Sequence, residues 1–136
     1  MNKLRVAVIG TGMIANSAHF PALNILRKEG KVEVVGVADI RPEAAQQTPK
    51  RQDVPNWYTD PQKMLDELHP DFVAVCTPNV HHKEWTIKAL KAGAHVACEK
   101  PIATSLADAR EMWQTAKECG KMLFPCRCVL WMMPAA

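Results

Sequence analysis

A doubly wound parallel α/β sheet in a single domain is the fold class predicted by this sequence, on three observations. Short apolar runs alternate with longer segments of helical period along the chain, which is the pattern of successive βαβ units. The runs are nearly continuous, as in strands covered by helices on both faces. A glycine-rich turn follows the first run, where a first strand would pass into a helix.

The elements follow in order. Leu4 to Ile9 is the first strand and Val32 to Ala38 the second. Pro42 opens a short helix, and Thr48-Pro49 is expected to end it, because proline disfavours helix in the residue before it. Asn56 to Tyr58 is a weak strand that brings the set to six. Asp60-Pro61 is a cap and first-turn pair; Met64, Leu65 and Leu68 then form one apolar face, and His69-Pro70 stops the helix. Phe72 to Cys76 is the fourth strand. From Val80 to Ala92 the pairs Trp85/Ala89 and Ile87/Leu90 face inward while Lys83, Lys88 and Lys91 face solvent, with Glu84 and Lys88 spaced for an ion pair. Gly93 ends this helix, and His95 to Cys98 is the fifth strand. Ser105 and Asp108 resemble a capping box; Leu106, Ala109, Trp113 and Ala116 are expected to share the buried face until Gly120. Met122 to Phe124 is the sixth strand.

The chain of 136 residues is 48% hydrophobic and 23% charged, an ordinary globular composition that excludes a disordered or low-complexity chain. A net charge of +3, spread along the sequence, does not point to nucleic acid or to an anionic membrane. Cys76, Cys98, Cys119, Cys126 and Cys128 form an odd set without a CxxC pair, so neither a disulfide framework nor a metal site is expected. With no histidine beside them in sequence, the cysteines near the tail do not read as ligands. The apolar run near Met1 is too short for a signal-peptide core or a membrane span, and a cytoplasmic location is expected.

Four segments carry candidate chemistry. Gly10-Thr11-Gly12-Met13-Ile14-Ala15 is a GxGxxA at a strand-to-helix turn: Gly10 permits the tight turn, Gly12 lets backbone approach a pyrophosphate, and Ala15 lets helix and strand pack closely. Phosphates would meet free N–H groups and the positive end of the helix dipole at Met13 and Ile14; a glycine turn that binds nothing is the alternative. Asp39 ends the second run and would accept hydrogen bonds from adenine-ribose hydroxyls, which favours NAD; Arg41 would offset its repulsion of the extra phosphate of NADP or simply stack near the adenine. Capping of the helix at Pro42 is the lesser alternative for Asp39 and is compatible with ribose binding. Thr77, Pro78, Asn79, His81 and His82 follow the fourth strand, where open α/β sheets bind ligands; Asn79 as a cap and the histidines as first-turn residues are the plain reading. Glu99-Lys100-Pro101 ends the fifth strand, as either a polar loop or a catalytic pair.

Taken together, GTGMIA, VADIRPE, CTPNVHH, ALKAGAHVACEKP and ATSLADAREM resemble, in order and spacing, the Gfo/Idh/MocA oxidoreductases, a family that includes glucose-fructose oxidoreductase and inositol dehydrogenases. The resemblance runs from Leu4 to Leu123 and is most specific at the EKP stretch. It implies a Rossmann fold over residues 1–124 that binds a nicotinamide dinucleotide. It also implies hydride transfer at a sugar, inositol or polyol hydroxyl, with Lys100 as the catalytic lysine assisting proton transfer. Glu99 would contact the nicotinamide ribose, and Thr77, Pro78, Asn79 and His82 would line the cofactor. His81 would lie on the surface, and His19 would pack near the cofactor without a chemical role.

The family's second α/β domain, which forms the substrate wall, has no counterpart in these residues, and residues 125–136 depart from the family pattern as an apolar tail. An interrupted gene, an isolated cofactor domain and half of a split enzyme all meet that expectation. The competing reading is a non-catalytic dinucleotide-binding module. A methyltransferase is disfavoured, since the EKP segment has no role in one.

Overall fold

Residues 2–126 are described in the computed structural model of the chain. Strands β1 (Leu4–Ile9), β2 (Val32–Ala38), β3 (Trp57–Tyr58), β4 (Phe72–Val75), β5 (His95–Cys98) and β6 (Leu123–Pro125) form one sheet in the order β3-β2-β1-β4-β5-β6. Every pairing is parallel. Chain direction across the sheet therefore reverses between β1 and β4, the switch point at whose carboxyl edge such sheets bind ligands. The sixth strand lies one residue later than its apolar run predicts, and the ladder continues through Cys126, whose N–H donates to the Cys98 carbonyl at 2.8 Å.

Helices α1 (Phe20–Lys28), α2 (Pro42–Gln52), α3 (Pro61–Leu68), α4 (His82–Lys91) and α5 (Leu106–Glu118) cover the two faces. The alternation along β1 divides the core. Val6 and Val8 pack with Phe20 and Leu23 of α1 on one face, whereas Ala7 and Ile9 pack with Met64 and Leu65 of α3, Leu90 of α4 and Met112 of α5 on the other. No helix among the described residues is long and apolar enough to cross a membrane.

The predicted caps are formed: the Asp60 carboxylate accepts from Gln62 N–H at 2.9 Å and the Ser105 hydroxyl from Asp108 N–H at 3.1 Å. Lys88 pairs with Glu84 at 2.7 Å. Three local expectations are corrected. Helix α2 does not stop at Thr48-Pro49 but runs through Pro49 to Gln52. Thr48 and Pro49 are both buried, so packing of the ring offsets the hydrogen bond that proline cannot donate. The segment from Val80 begins as a 3₁₀ turn over Asn79–His81, without a side-chain cap, before α4 starts at His82. In α5 the buried residues are Met112, Thr115 and Ala116, while Leu106 and Trp113 are 67% and 53% exposed. Thr115 can face inward because its hydroxyl returns to the Glu111 carbonyl at 2.9 Å, satisfying the polar atom within the helix.

Candidate functional site

At the switch point the carboxyl ends of β1, β2 and β4 open into a cleft of about 650 Å³, a volume within the range of small-ligand and cofactor sites. Gly10, Gly12, Asp39, Arg41, Thr77 and Pro78 line it, joined on the outer side by Ile40, Pro61, His81 and Trp85.

The floor is the turn after β1. Gly10 has φ +88°, and a Cβ there would lie 2.7 Å from the Cys76 carbonyl carbon and oxygen and 2.9 Å from Thr77 N. Only glycine lets the ends of β1 and β4 approach this closely. At Gly12 the nearest atom to such a Cβ is an Arg41 guanidinium nitrogen at 4.0 Å, so the backbone there faces open cleft. The Asn16 amide donates to the carbonyls of Thr11 and Gly12 at 2.8 and 2.9 Å and holds the loop. The helix that follows opens with a π-helical turn over Ala15–His19 before α1. Its first N–H groups, near Met13 and Ile14, have no partner one turn earlier, as at any helix start. Met13 is 86% exposed, and Ile14 packs partly against the α1-side core.

Asp39 closes the β2 side. It is 6% exposed and its two oxygens accept five hydrogen bonds. Oδ2 accepts from the Thr11 N–H, the Thr11 hydroxyl and an Arg41 Nη, at 2.9, 2.9 and 3.0 Å. Oδ1 accepts from the Arg41 N–H and Nε at 2.9 and 3.0 Å. Burial pushes this carboxyl upward, but the donors of Arg41 and Thr11 outweigh it and hold it well below the usual carboxylate range. Asp39 is thus an ionised acceptor tied to the glycine turn. Capping of α2 is not its role, because that helix starts after Arg41 with no side-chain cap.

The β4 side carries Thr77 and Pro78. The Thr77 hydroxyl oxygen is buried with no hydrogen-bond partner among the described residues, an unmet polar atom in the wall of a cleft. Beneath it Cys76 is 7% exposed; burial above all, with the nearby Glu99 charge, raises its thiol pKa far above the ordinary range, so it stays a neutral thiol. His82 corrects the expectation that it lines the cofactor: it is 0% exposed. Its Nδ1 and Nε2 lie 2.7 and 2.8 Å from the carbonyl oxygens of Pro101 and Thr77. It ties the two loops together from behind, and its neighbour His81, expected only on the surface, reaches the cleft. The 3₁₀ turn over Asn79–His81 sets this rotation, and Asn79 opens the turn rather than capping α4.

At the end of β5, Glu99 is 5% exposed and its Oε1 accepts from His19 Nε2 at 2.6 Å, while Oε2 accepts from Lys100 N–H at 3.3 Å. Lys100 itself is exposed. Burial also pushes the neighbouring Cys98 thiol up, to about 11. Cys126, at the end of β6, lies with His19 and Glu99 in one group whose ligand atoms are all within 4.8 Å of each other. Sequence adjacency hides this meeting, which corrects the view that no histidine lies near the tail cysteines.

The sequence profile of the Gfo/Idh/MocA group, described as an oxidoreductase family with an NAD-binding Rossmann fold, matches residues 4–126. The chain belongs to that family. A curated relative, the D-glucoside 3-dehydrogenase of Escherichia coli, is 42% identical over 120 residues, covering 88% of this chain and 33% of the relative. The solved WlbA dehydrogenase of Bordetella pertussis, in complex with NADH and UDP-GlcNAcA, superposes with a TM-score of 0.83 at 30% identity, covering 91% of this chain and 37% of that one. The 3-ketoreductase KijD10 of Actinomadura kijaniata, with NADP and TDP-benzene, gives 0.82 at 34% identity, covering 91% and 38%. The chain thus spans about a third of the length of the curated relative it matches.

Of the predicted residues of this Gfo/Idh/MocA domain, the fold gathers Gly10, Gly12, Asp39, Arg41, Thr77 and Pro78 into the cleft wall. It sets Met13, Ile14, Asn79, Glu99 and Lys100 outside that wall, on the segments that follow β1, β4 and β5. Sequence reading missed the clamp by Asn16, the Thr11 donors to Asp39, and Trp85 as a wall. A polar residue one helical turn beyond the glycine loop was the available signal for Asn16; Trp85 was hidden because its helical spacing reads equally well as core.

Proposed function

We propose that this chain is the cofactor half of an oxidoreductase that moves a hydride between the hydroxyl-bearing carbon of a sugar, inositol or related polyol and a nicotinamide dinucleotide. The observation that carries the reading is the convergence of Gly10, Asp39 and Thr77 on one cleft while β5 presents Glu99 and Lys100 at the same carboxyl edge. The name of the D-glucoside 3-dehydrogenase and the UDP-GlcNAcA bound by the WlbA dehydrogenase support the substrate class.

The residues present fit a dinucleotide: the glycine floor admits backbone approach at Gly12, and the Thr77 hydroxyl lacks a partner that a ligand would supply. Gly10 and Gly12 would receive the pyrophosphate, with N–H groups of the following turn, at Met13 and Ile14, donating to its oxygens. Asp39 would accept from the adenine-ribose hydroxyls once the Arg41 guanidinium swings away, and Arg41, 63% exposed along its side chain, is free to do so and to meet the extra phosphate of NADP. Thr77, Pro78 and Asn79 would border the nicotinamide side, with His82 holding their loop from behind. Glu99 would orient the nicotinamide ribose. Bound there, the dinucleotide supplies the hydride acceptor or donor. Lys100 would hydrogen-bond the reacting oxygen and stabilise it as its proton leaves. A cytoplasmic location, with no nucleic-acid or membrane partner, belongs to the same proposal.

A second reading, a dinucleotide-binding module without turnover, is favoured by the exposure of Lys100. Calorimetric titration of the 136-residue chain with NAD and NADP, beside turnover assays on a panel of polyols, tests the dinucleotide site that both readings share. Saturable binding without turnover fits both readings, and binding with turnover removes the second. A folded chain that binds neither dinucleotide, or that binds S-adenosylmethionine instead, refutes both.

A further inference from the structure

We propose that His19, Glu99 and Cys126 form a binding site for one borderline-soft divalent cation, with zinc as its natural occupant. The three side chains come from three separately anchored places: the π-helical turn before α1, the end of β5 and the end of β6. The donor set is one imidazole nitrogen, one carboxylate oxygen and one sulfur, mutually within 4.8 Å. Nitrogen, oxygen and sulfur together suit Zn²⁺ and do not suit the hard, oxygen-seeking Mg²⁺ or Ca²⁺.

The geometry needs small adjustments. Around a tetrahedral zinc with ordinary bond lengths, the nitrogen and oxygen would stand about 3.3 Å apart and the sulfur about 3.6 Å from the nitrogen. His19 Nε2 and Glu99 Oε1 are now 2.6 Å apart, a hydrogen bond that an ion entering between them would open. The proton on Nε2 would move to Nδ1 or to solvent, and the thiol would lose its own proton, so the loaded site holds two negative ligands against the dication and is neutral overall. The Glu99 side chain is 7% exposed, where an ionised carboxylate calls for a compensating charge. Its other oxygen is already held by Lys100 N–H, the kind of outer contact that orients a metal-binding carboxylate. His19 and Cys126 are only partly buried, which leaves room for water as a fourth ligand. The cation would pin the ends of β5 and β6 to the helix after the glycine loop. Glu99 is also the residue proposed to orient the nicotinamide ribose, so cation binding is tested on the chain without dinucleotide.

Cobalt titration of the 136-residue chain tests it, because a cobalt–thiolate bond gives a near-ultraviolet charge-transfer band and four-coordinate cobalt gives intense visible bands. The expected result is saturation at about one equivalent, reversal by zinc, and a higher melting temperature with zinc than with a chelator. Cys126→Ser should abolish the charge-transfer band, and His19→Ala and Glu99→Gln should each weaken cobalt binding by more than about tenfold; Cys119→Ser should change neither. Circular dichroism establishes that each variant is folded, and if Cys126→Ser is not, the other two variants decide, since they leave the thiol in place. A folded wild-type chain that shows no cobalt–thiolate band overturns the proposal, as does a band whose affinity is the same in His19→Ala and Glu99→Gln.

Discussion

Replacing Asp39 by alanine should invert or erase the preference between the two dinucleotides. In the free protein this carboxylate satisfies five donors, and in the proposed complex two of its contacts pass from Arg41 to the adenine-ribose hydroxyls. A hydrogen bond to a charged acceptor contributes about 1.5–3 kcal/mol, so Asp39→Ala should weaken NAD by about 10- to 150-fold. For NADP the substitution also removes a repulsion, of order 2 kcal/mol between unit charges ~8 Å apart at an effective dielectric near 20, and it frees Arg41 to meet the phosphate. The ratio of the NADP to the NAD dissociation constant should therefore fall at least ~tenfold. The cost to the fold is separate: Thr11, 4% exposed, is left with an unmet N–H, a loss of about 1–3 kcal/mol that urea unfolding measures. Asp39→Asn, which keeps one acceptor oxygen, should recover part of that stability but not the preference. Calorimetric titrations at one ionic strength give the ratio. A folded Asp39→Ala chain with an unchanged ratio would refute the ribose assignment.

Three other perturbations follow from the same geometry. Lys100→Met should abolish turnover in an assembled enzyme while cofactor affinity stays within about tenfold, or 1.4 kcal/mol; wild-type turnover of that variant would remove Lys100 from the chemistry. Gly10→Ala places a Cβ 2.7 Å from backbone atoms of Cys76 at a φ of +88°, where no side-chain rotation relieves the clash. Positive φ alone costs about 1–2 kcal/mol, so the urea midpoint should drop, and NAD affinity with it. The Cys98 thiol is pushed up to about 11 from 9.0 by burial. It keeps its proton in the fold while the unfolded chain ionises, so stability should fall as pH rises from about 9, by up to ~1.4 kcal/mol per pH unit. Cys98→Ala should reduce that slope in alkaline urea titrations, leaving the part that the buried Cys76 thiol contributes in the same direction, and a slope identical to wild type would remove the Cys98 thiol as a cause.

The strands were legible because they are buried on both faces, so that runs such as Val32 to Ala38 stand out whatever their neighbours. Caps were legible because Asp60 and Ser105 act on N–H groups two or three residues away. What could not be read depends on contacts between distant segments. Pro49 continues α2 because its ring has a buried place to sit. The inward face of α5 includes Thr115, whose hydroxyl finds a carbonyl of its own helix, while Trp113 is turned out. His82 holds the motif spacing that suggests a cofactor contact, yet its two nitrogens are taken by the carbonyls of Thr77 and Pro101, and only the path of the second loop reveals that. His19 and Cys126 lie near opposite ends of the described chain and meet because the glycine turn and β6 reach the same edge of the sheet.

In the proposed function, affinity and chemistry divide along that edge. On the β1–β2 side, Thr11 and Asp39 are 4% and 6% exposed and already linked through hydrogen bonds, so the proposed adenosine recognition would begin from an ordered network and give up little entropy on binding. Its one exposed member, Arg41, would have to leave Asp39 before a ribose entered, which would make the strength of that ion pair a brake on NAD. The free guanidinium then becomes an asset only to NADP. On the β5 side Lys100 is exposed, and its neighbour Glu99 is held by His19 rather than by the cleft. An exposed ammonium stabilises a developing oxyanion far less than one in a water-excluded site. In the proposed enzyme whatever covers Lys100 would therefore set the rate, while β1 and β2 would set the affinity, and substitutions on the two sides should act nearly independently.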